Sequence, residues 1–550
     1  MKKISFSFLA FLILTISANA QQTVGLFHTS DSAYSGYTLF GPKQSEKTYL
    51  IDNCGELKYS WNSPYKSGGS VQLLDNGLLL RTCVYQNGSP INGGGAGGKL
   101  IAIQPDQLVA WELDLANDTI RQHHDFSVLP NGNIITIVWE LKNENAAILQ
   151  GRDSSLVAIG GLWPDYLLEY NPTTDSVVWE WHAWDHLIQD YDPTMNNFGV
   201  VADHPELFNL NFSGNGYNPD WLHLNSVDYN TQLDQIIISS PLWNEIFIID
   251  HSTTTTEAAT HAGGTSGKGG DILWRWGNPI TYDLGDSTDQ VFYFQHDAHW
   301  IPQGHPDENK IILFNNGRGR TPAEYSAVEI IEPTILPSGE YDTEGDGTFS
   351  PATQHYTFTS PTPTDFFSRI ISSADQLPNG NILIDEGTQG HFFEIDSMEN
   401  IVWDYVNPVV TDSIMTQEQI VPGAGTLLNA CFRARRLSLT DPALAFLTLQ
   451  NFGPIELDPY PSTCAVGINE SENNPTFNLY PNPARSSITI EGPKENYSYQ
   501  LINLLGVQSK QGELTNGIIN IEKLSPGIYY LILSEEISHA KTYTLKFIKL

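Results

Sequence analysis

Imidazole is the side chain best suited to attack and proton transfer near neutral pH. This 550-residue chain carries 15 histidines, and His123, His124, His223, His296 and His299 each fall in a segment that reads as the first strand of a β-meander. Where such first strands converge on one axis, residues far apart in sequence meet. A neutral imidazole there, beside an arginine, is equipped to attack an electrophile that bears an anionic group. For any single histidine, a structural hydrogen bond in a β core explains as much; three or four on one axis are harder to explain that way. Metal binding is the competing chemistry. In an extended strand His296 and His299 point to opposite faces, and the His182–His186 segment has no evident third ligand in sequence, so neither a metal nor a cofactor is expected.

The elements that would carry these residues follow from one stretch, DWLHLNSVDYNTQLDQIIISSPLWNEIFIID at 220–250. It predicts a His-bearing strand over Trp221 to Tyr229, a β-branched strand over Gln235 to Ser239 and an apolar strand over Ile246 to Asp250, with SVVWEW at 176–181 as the fourth strand. Strands bearing tryptophan recur at 57–61, 108–113, 177–181, 272–276 and 401–405, each followed by another opening segment. Asn-Gly turns at 75–77, 130–133 and 378–381 mark hairpins, because both residues tolerate positive φ. Tandem meanders with a repeated tryptophan favour an all-β, six-bladed β-propeller over two stacked sandwiches, with those tryptophans as packing residues. Segments 21–50, 340–360 and 440–465 fit the repeat poorly.

The first 20 residues read as a signal peptide, with Lys2 and Lys3, an apolar run and Ala18-Asn19-Ala20. The mature chain is then expected to start near Gln21 and to be secreted or displayed at the cell surface after export through the periplasm, with no transmembrane segment. A net charge of −36 argues against nucleic acid and anionic membranes as partners, so an anionic substrate needs a locally positive site. Four cysteines in an exported chain suggest disulfides. Cys54 with Cys83, and Cys431 with Cys464, are the local pairings among three possible connectivities. The composition changes near Glu470, which divides a propeller over 21–468 from a small β-sandwich over 469–550.

Several strings carry resemblances. LYPNPA at 479–484, LSPGIY at 524–529 and the terminal KFIKL resemble the C-terminal sorting domain of the type IX secretion system, which implies that secretion machinery is a partner. HHDFSVLPNGN at 123–133, VWEWHAWDHLIQDYDPT at 178–194, DWLHLNSVDYN at 220–230, GGDILWRWGNP at 269–279, QHDAHWI at 295–301 and FNNGRGR at 314–320 resemble the bacterial arylsulfotransferase family from about Gln22 to Cys464. The resemblance implies an enzyme that moves a sulfuryl group from a phenolic sulfate donor to a phenol acceptor through a sulfohistidine, without a nucleotide donor. It further implies His223 and His296 as channel histidines, Arg320 as the sulfate-binding arginine with Arg318 as its rival, and His391 in GTQGHFFEI as the nucleophile. The alternatives are an aryl-sulfate hydrolase, in which water accepts the same group, and a non-catalytic extracellular propeller that binds a polymer or protein partner.

Overall fold

The computed structural model describes residues 22–212, 216, 218–460, 464, 477–492, 497–503, 508–514, 516–535 and 542–550. The expected signal segment and the expected boundary near Glu470 lie outside these residues.

The chain is all-β and is built of successive antiparallel meanders. The second sheet runs outward from Ser67–Leu73 through Leu79–Val84 and Gly98–Ile103 to Val109–Asp114, and the third from Ile120–Val128 through Ile134–Glu140 and Asp165–Asn171 to Ser176–His182. The fourth comprises Ser226–Asn230, Gln235–Ser240, Glu245–Asp250 and Ile272–Trp276. The fifth comprises His296–Trp300, Ile311–Asn315, Ala327–Ile331 and Tyr356–Phe358. The sixth starts at Ser373–Gln376, continues through Ile382–Glu386, His391–Ile395 and Ile401–Val406, and gains Gly25–Thr29 at its outer edge. The first sheet joins both ends of this body: Cys431–Ser438 supplies its inner strand beside Gly36–Pro42, Lys47–Asp52 and Leu57–Asn62. Inner strands of successive sheets touch, and that of the first touches those of the second and the sixth, a propeller-like arrangement.

Two expectations are corrected here. SVVWEW belongs to the preceding meander, and ILWRW closes the meander of 220–250. Both strands are apolar and end in Trp-x-Trp, so only pairing distinguishes them. The first strand of that meander starts at Ser226, and Trp221 to Asn225 form an irregular approach that carries His223. The poorly fitting segments are also accommodated, since 36–52 holds two strands of the first sheet and Tyr356–Phe358 is the outer strand of the fifth.

Each sheet buries both faces, so apolar cores lie between neighbours. Ile135, Ile137, Leu167 and Trp181 of the third sheet meet Val227, Ile236, Ile238 and Phe247 of the fourth, and equivalent clusters fill the other gaps. A large side chain fully withdrawn from water contributes about 1.5–3 kcal/mol, which explains the alternation of Ile, Leu and Trp on these strands. Outer-strand indoles also reach the next sheet: Trp181 Nε1 donates to the Gly270 carbonyl at 2.7 Å, Trp274 to Ser350 at 2.8 Å and Trp403 to Asn53 at 2.9 Å. Trp111 is the half-buried exception.

On the inner strands a buried ionic network replaces apolar packing. Arg433 donates to both oxygens of Asp125 at 2.8 and 2.9 Å, and its Nε lies 2.6 Å from Asp297. Arg435 grips Asp297 at 2.8 and 3.1 Å. Burial alone would raise the Asp297 carboxyl, yet the two guanidinium groups hold it low. Three inner strands, from the first, third and fifth sheets, are fixed to one another by these forks.

The described cysteines also correct an expectation. Cys54 pairs with Cys464 across 410 residues, while Cys83 and Cys431 are buried thiols. Both lie inside strands, 0 % exposed, where neither can reach the partner that sequence proximity suggested. The C-terminal segment forms a three-stranded and a four-stranded antiparallel sheet around Ile488, Leu501, Leu531, Leu533 and Phe547. Among the described residues no helix is long and apolar enough to cross a membrane.

Candidate functional site

The inner strands are not smooth. At comparable points the backbone enters the left-handed region: Gly69 at φ 143°, His124 at 53°, His223 at 56°, Asp297 at 59°, Ile371 at 54° and Ser372 at 94°. Register shifts accompany the turns between Ser67 and Val71 and between His296 and His299. An extra residue in one strand bends it and redirects a side chain, and left-handed geometry at a β-branched residue such as Ile371 is costly enough to require a surrounding that imposes it. These kinks turn His124, His223 and His296 toward one space.

Within it, His124 and His223 meet edge to face with ring centroids 4.7 Å apart, and Phe432 lies 5.8 Å from His124 and 6.4 Å from His296. His223 Nδ1 contacts Asp220 Oδ2 at 2.5 Å, and Trp139 Nε1 donates to the other Asp220 oxygen at 3.0 Å. This fixes the ring with Nε2 outward. Among the described residues Nε2 of His223 has no protein hydrogen-bond partner, and its side chain, 12 % exposed, is the one of the cluster that solvent reaches.

The neighbouring histidines form a chain. His124 Nδ1 and His123 Nδ1 lie 2.8 Å apart and share one proton. His123 Nε2 is 2.7 Å from Asp165 Oδ1, a contact short enough for proton sharing although off the N–H direction. Trp139 stacks on His123 at 3.7 Å. Burial raises the Asp165 carboxyl far above its usual range and lowers His123 and His124 far below theirs. The chain therefore favours neutral partners with the proton free to move along it.

His296 is held differently. Its Nδ1 donates to Asn316 Oδ1 at 2.7 Å and its Nε2 accepts from the Ile371 amide at 3.2 Å. Burial pushes it down to about 3 against the support of Asn316, so it stays a neutral, fully engaged imidazole.

Positive charge comes from groups that sequence reasoning did not single out. Lys43 is half-buried, lacks a carboxylate partner among the described residues, and acts electrostatically on both His124 and His296; burial lowers its own ammonium pKa. Gly93, Gly94 and Gly95 pack directly on this group, and a Cβ on Gly95 would fall 2.1 Å from His124 Nε2. The GGG run and the Asp three residues before His223 were visible signals; Lys43 had none.

Two expected site residues lie elsewhere. His391 begins the third strand of the sixth sheet, and both ring nitrogens are taken, Nδ1 by Glu386 at 2.6 Å and Nε2 by Asp404 at 2.9 Å. Burial would lower it, but Asp404 and Glu386 hold it up to about 10, and a protonated imidazole has no lone pair with which to attack. Arg320 sits between the rings of Tyr293 and Tyr325 and acts on Glu329. Arg318 lies over Phe294 at 4.4 Å, and Phe294 packs on His296 at 5.8 Å. His299 faces the opposite stretch of the inner strands, within 3.5 Å of Asp375, where a cavity of 690 Å³ is lined by Arg433, Arg435, Asp228 and Asp375. Arg433, Arg435 and Asp375 there already engage one another, Asp125 or Asp297.

No curated protein matches the chain. Among solved structures, a protein of unknown function from Bacteroides caccae is 11 % identical, with 68 % of this chain and 94 % of that one covered and a TM-score of 0.37. An inactive virginiamycin B lyase from Staphylococcus aureus with quinupristin is 11 % identical over 71 % and 90 %, with a TM-score of 0.31. A putative 6-phosphogluconolactonase from Bacteroides fragilis is 14 % identical over 68 % and 97 %, with a TM-score of 0.32. Residues 478–549 match the secretion system C-terminal sorting domain of the type IX pathway, which indicates export to the surface or secretion. Residues 28–419 match the family described as Arylsulfotransferase (ASST), and with most of its length so matched the chain belongs to the arylsulfotransferase family.

Proposed function

We propose that the protein is an exported aryl sulfotransferase built on a closed six-bladed propeller over 21–468, and that His223 forms the sulfohistidine. The observation that carries this reading is the Asp220–His223 pair, with Nδ1 anchored and Nε2 unpartnered and solvent-accessible. In the first half-reaction the Nε2 lone pair attacks sulfur, the S–O bond to the aryl group breaks, and the phenolate takes a proton from His124 Nε2. That proton is replaced through His123 from Asp165. In the second half-reaction the acceptor phenol returns its proton to His124 as its oxygen attacks sulfur and the S–N bond breaks. Lys43 and Arg318 offset the sulfate charge. His296 acts as a wall of fixed polarity, and His391 serves the sheet and not the chemistry.

The test is release of nitrophenol from 4-nitrophenyl sulfate by the mature protein, with and without added phenol. Acceptor-dependent release with ping-pong kinetics is expected, falling at least about 10³-fold in His223→Ala. Acceptor-independent release would make it a hydrolase. Full activity in His223→Ala with loss in His391→Ala would return the nucleophile to His391.

A further inference from the structure

A second histidine group lies outside this space, where the 251–271 loop of the fourth sheet folds over the end of the third. His186 follows the outer strand of the third sheet through the short 3-10 turn Ala183–Asp185. Its Nδ1 lies 2.7 Å from Asp271 Oδ1, and Nδ1 of His261 lies 2.7 Å from the same oxygen. All three ligand atoms fall within 4.8 Å of one another.

The orientation of His186 gives this meeting a chemical meaning. Its Nε2 is 2.8 Å from the Ala258 carbonyl, an acceptor only, so Nε2 carries the proton and Nδ1 of the neutral ring is a lone pair. Trp181 lies parallel to the ring at 5.8 Å and 8°, and is itself anchored by donation to Gly270. A bare imidazole nitrogen pressed against a carboxylate oxygen is repulsive, and either a proton on Nδ1 or a cation between the two atoms removes the repulsion. A cation relieves that repulsion and uses the second imidazole as well.

We propose that His186, His261 and Asp271 bind one divalent transition-metal ion, zinc by the donor set, as a structural clip between the third and fourth sheets. Two imidazoles and a carboxylate suit zinc far better than calcium or magnesium, which take oxygen ligands. The Ala258 carbonyl is the outer partner that fixes the tautomer of a ligating histidine. Zinc–ligand distances of about 2.0–2.2 Å place tetrahedral donors roughly 3.3 Å apart, so the two 2.7 Å contacts to Asp271 Oδ1 open by about half an ångström while the imidazole nitrogens lie within 4.8 Å of each other. His186 is fully buried, but the His261 side chain is 61 % exposed, which gives the ion a path in and leaves water as the fourth ligand. The sequence hid this set because its members are 75 and 10 residues apart, in two different meanders. No histidine of the proposed sulfuryl site takes part, so the two readings stand or fall separately.

The experiment is zinc content and zinc titration calorimetry on the mature protein, stripped with EDTA and resupplied with zinc chloride, for wild type, His261→Ala, Asp271→Asn and His204→Ala. His261 is exposed, so its removal leaves the fold intact, and His204 is an exposed control that pairs only with Glu206. About one zinc per chain is expected in wild type and His204→Ala, with a higher Tm on zinc addition, and neither effect in His261→Ala or Asp271→Asn. Substoichiometric zinc in wild type, equal binding by all four proteins, or binding of calcium in preference to zinc would overturn the proposal.

Discussion

An imidazole attacks through a nitrogen that carries no hydrogen and faces no donor, and His223 meets that condition because Asp220 holds its other nitrogen. Asp220→Asn keeps the shape but offers Nδ1 an amide that can donate, which favours the wrong tautomer. The expected outcome is a fall in kcat of about 10²–10⁴ with little change in KM, measured with 4-nitrophenyl sulfate and phenol. Lys43 makes a different claim. Its ammonium pKa lies below 10.5 because burial disfavours the charge, so activity that depends on the cation declines as pH rises through that lowered value. Lys43→Met should abolish this alkaline limb and lower kcat/KM for the sulfate donor by about 10²-fold at neutral pH. At this scale the place of His296 at the start of an inner strand was legible in the sequence, whereas His223, expected within a strand, stands on the irregular approach before it. Lys43 and Asp165 were not legible, because a lone lysine after a strand and an aspartate at a strand start look like solvated surface until the fold buries them.

His391 shows how an element can claim a residue that chemistry appeared to need. It ties the ends of three strands of the sixth sheet through Glu386 and Asp404. Its folded pKa of about 10 stands above the unfolded 6.5, so the stabilisation is fully present below pH 6.5 and is lost as pH rises toward 10. We expect His391→Gln to lower unfolding stability by about 2–4 kcal/mol at pH 6, with the difference closing by pH 10, in urea titrations at the two pH values. Strand identity was readable from composition at this scale. The assignment of strands to sheets was not: SVVWEW and ILWRW carry the same apolar pattern, and pairing partners are chosen by connections whose geometry no local pattern encodes. The kinks that aim the histidines were equally hidden, since nothing in HHD or QHD announces a left-handed residue.

For the whole molecule, the Cys54–Cys464 bridge encloses nearly the entire body, and loop-closure entropy sets its contribution at no more than about 6 kcal/mol. Reduction should lower the Tm by several degrees. Mass spectrometry after thiol labelling of the native protein should find this one bridge and two unreacted thiols, Cys83 and Cys431, whose burial blocks reagent and raises their pKa. The all-β repeat was legible because its tryptophans and Asn-Gly turns recur. The bridge was not, because it joins ends that only the completed fold brings together.

The strand Cys431–Ser438 lies beside Gly36–Pro42, and its Phe432 touches both His124 and His296. A growing chain therefore carries His124, His223 and His296 long before it carries the strand that walls the space between them. Until residue 438 has left the ribosome, the first sheet lacks its innermost strand and the histidine space lacks one wall. Nascent fragments are thereby denied a finished pocket, and the sorting signal at 478–549 follows only a few dozen residues after the segment that completes it. The last wall of the histidine space and the address thus arrive almost together, so a chain interrupted before its export label is also one that has barely had time to close that space.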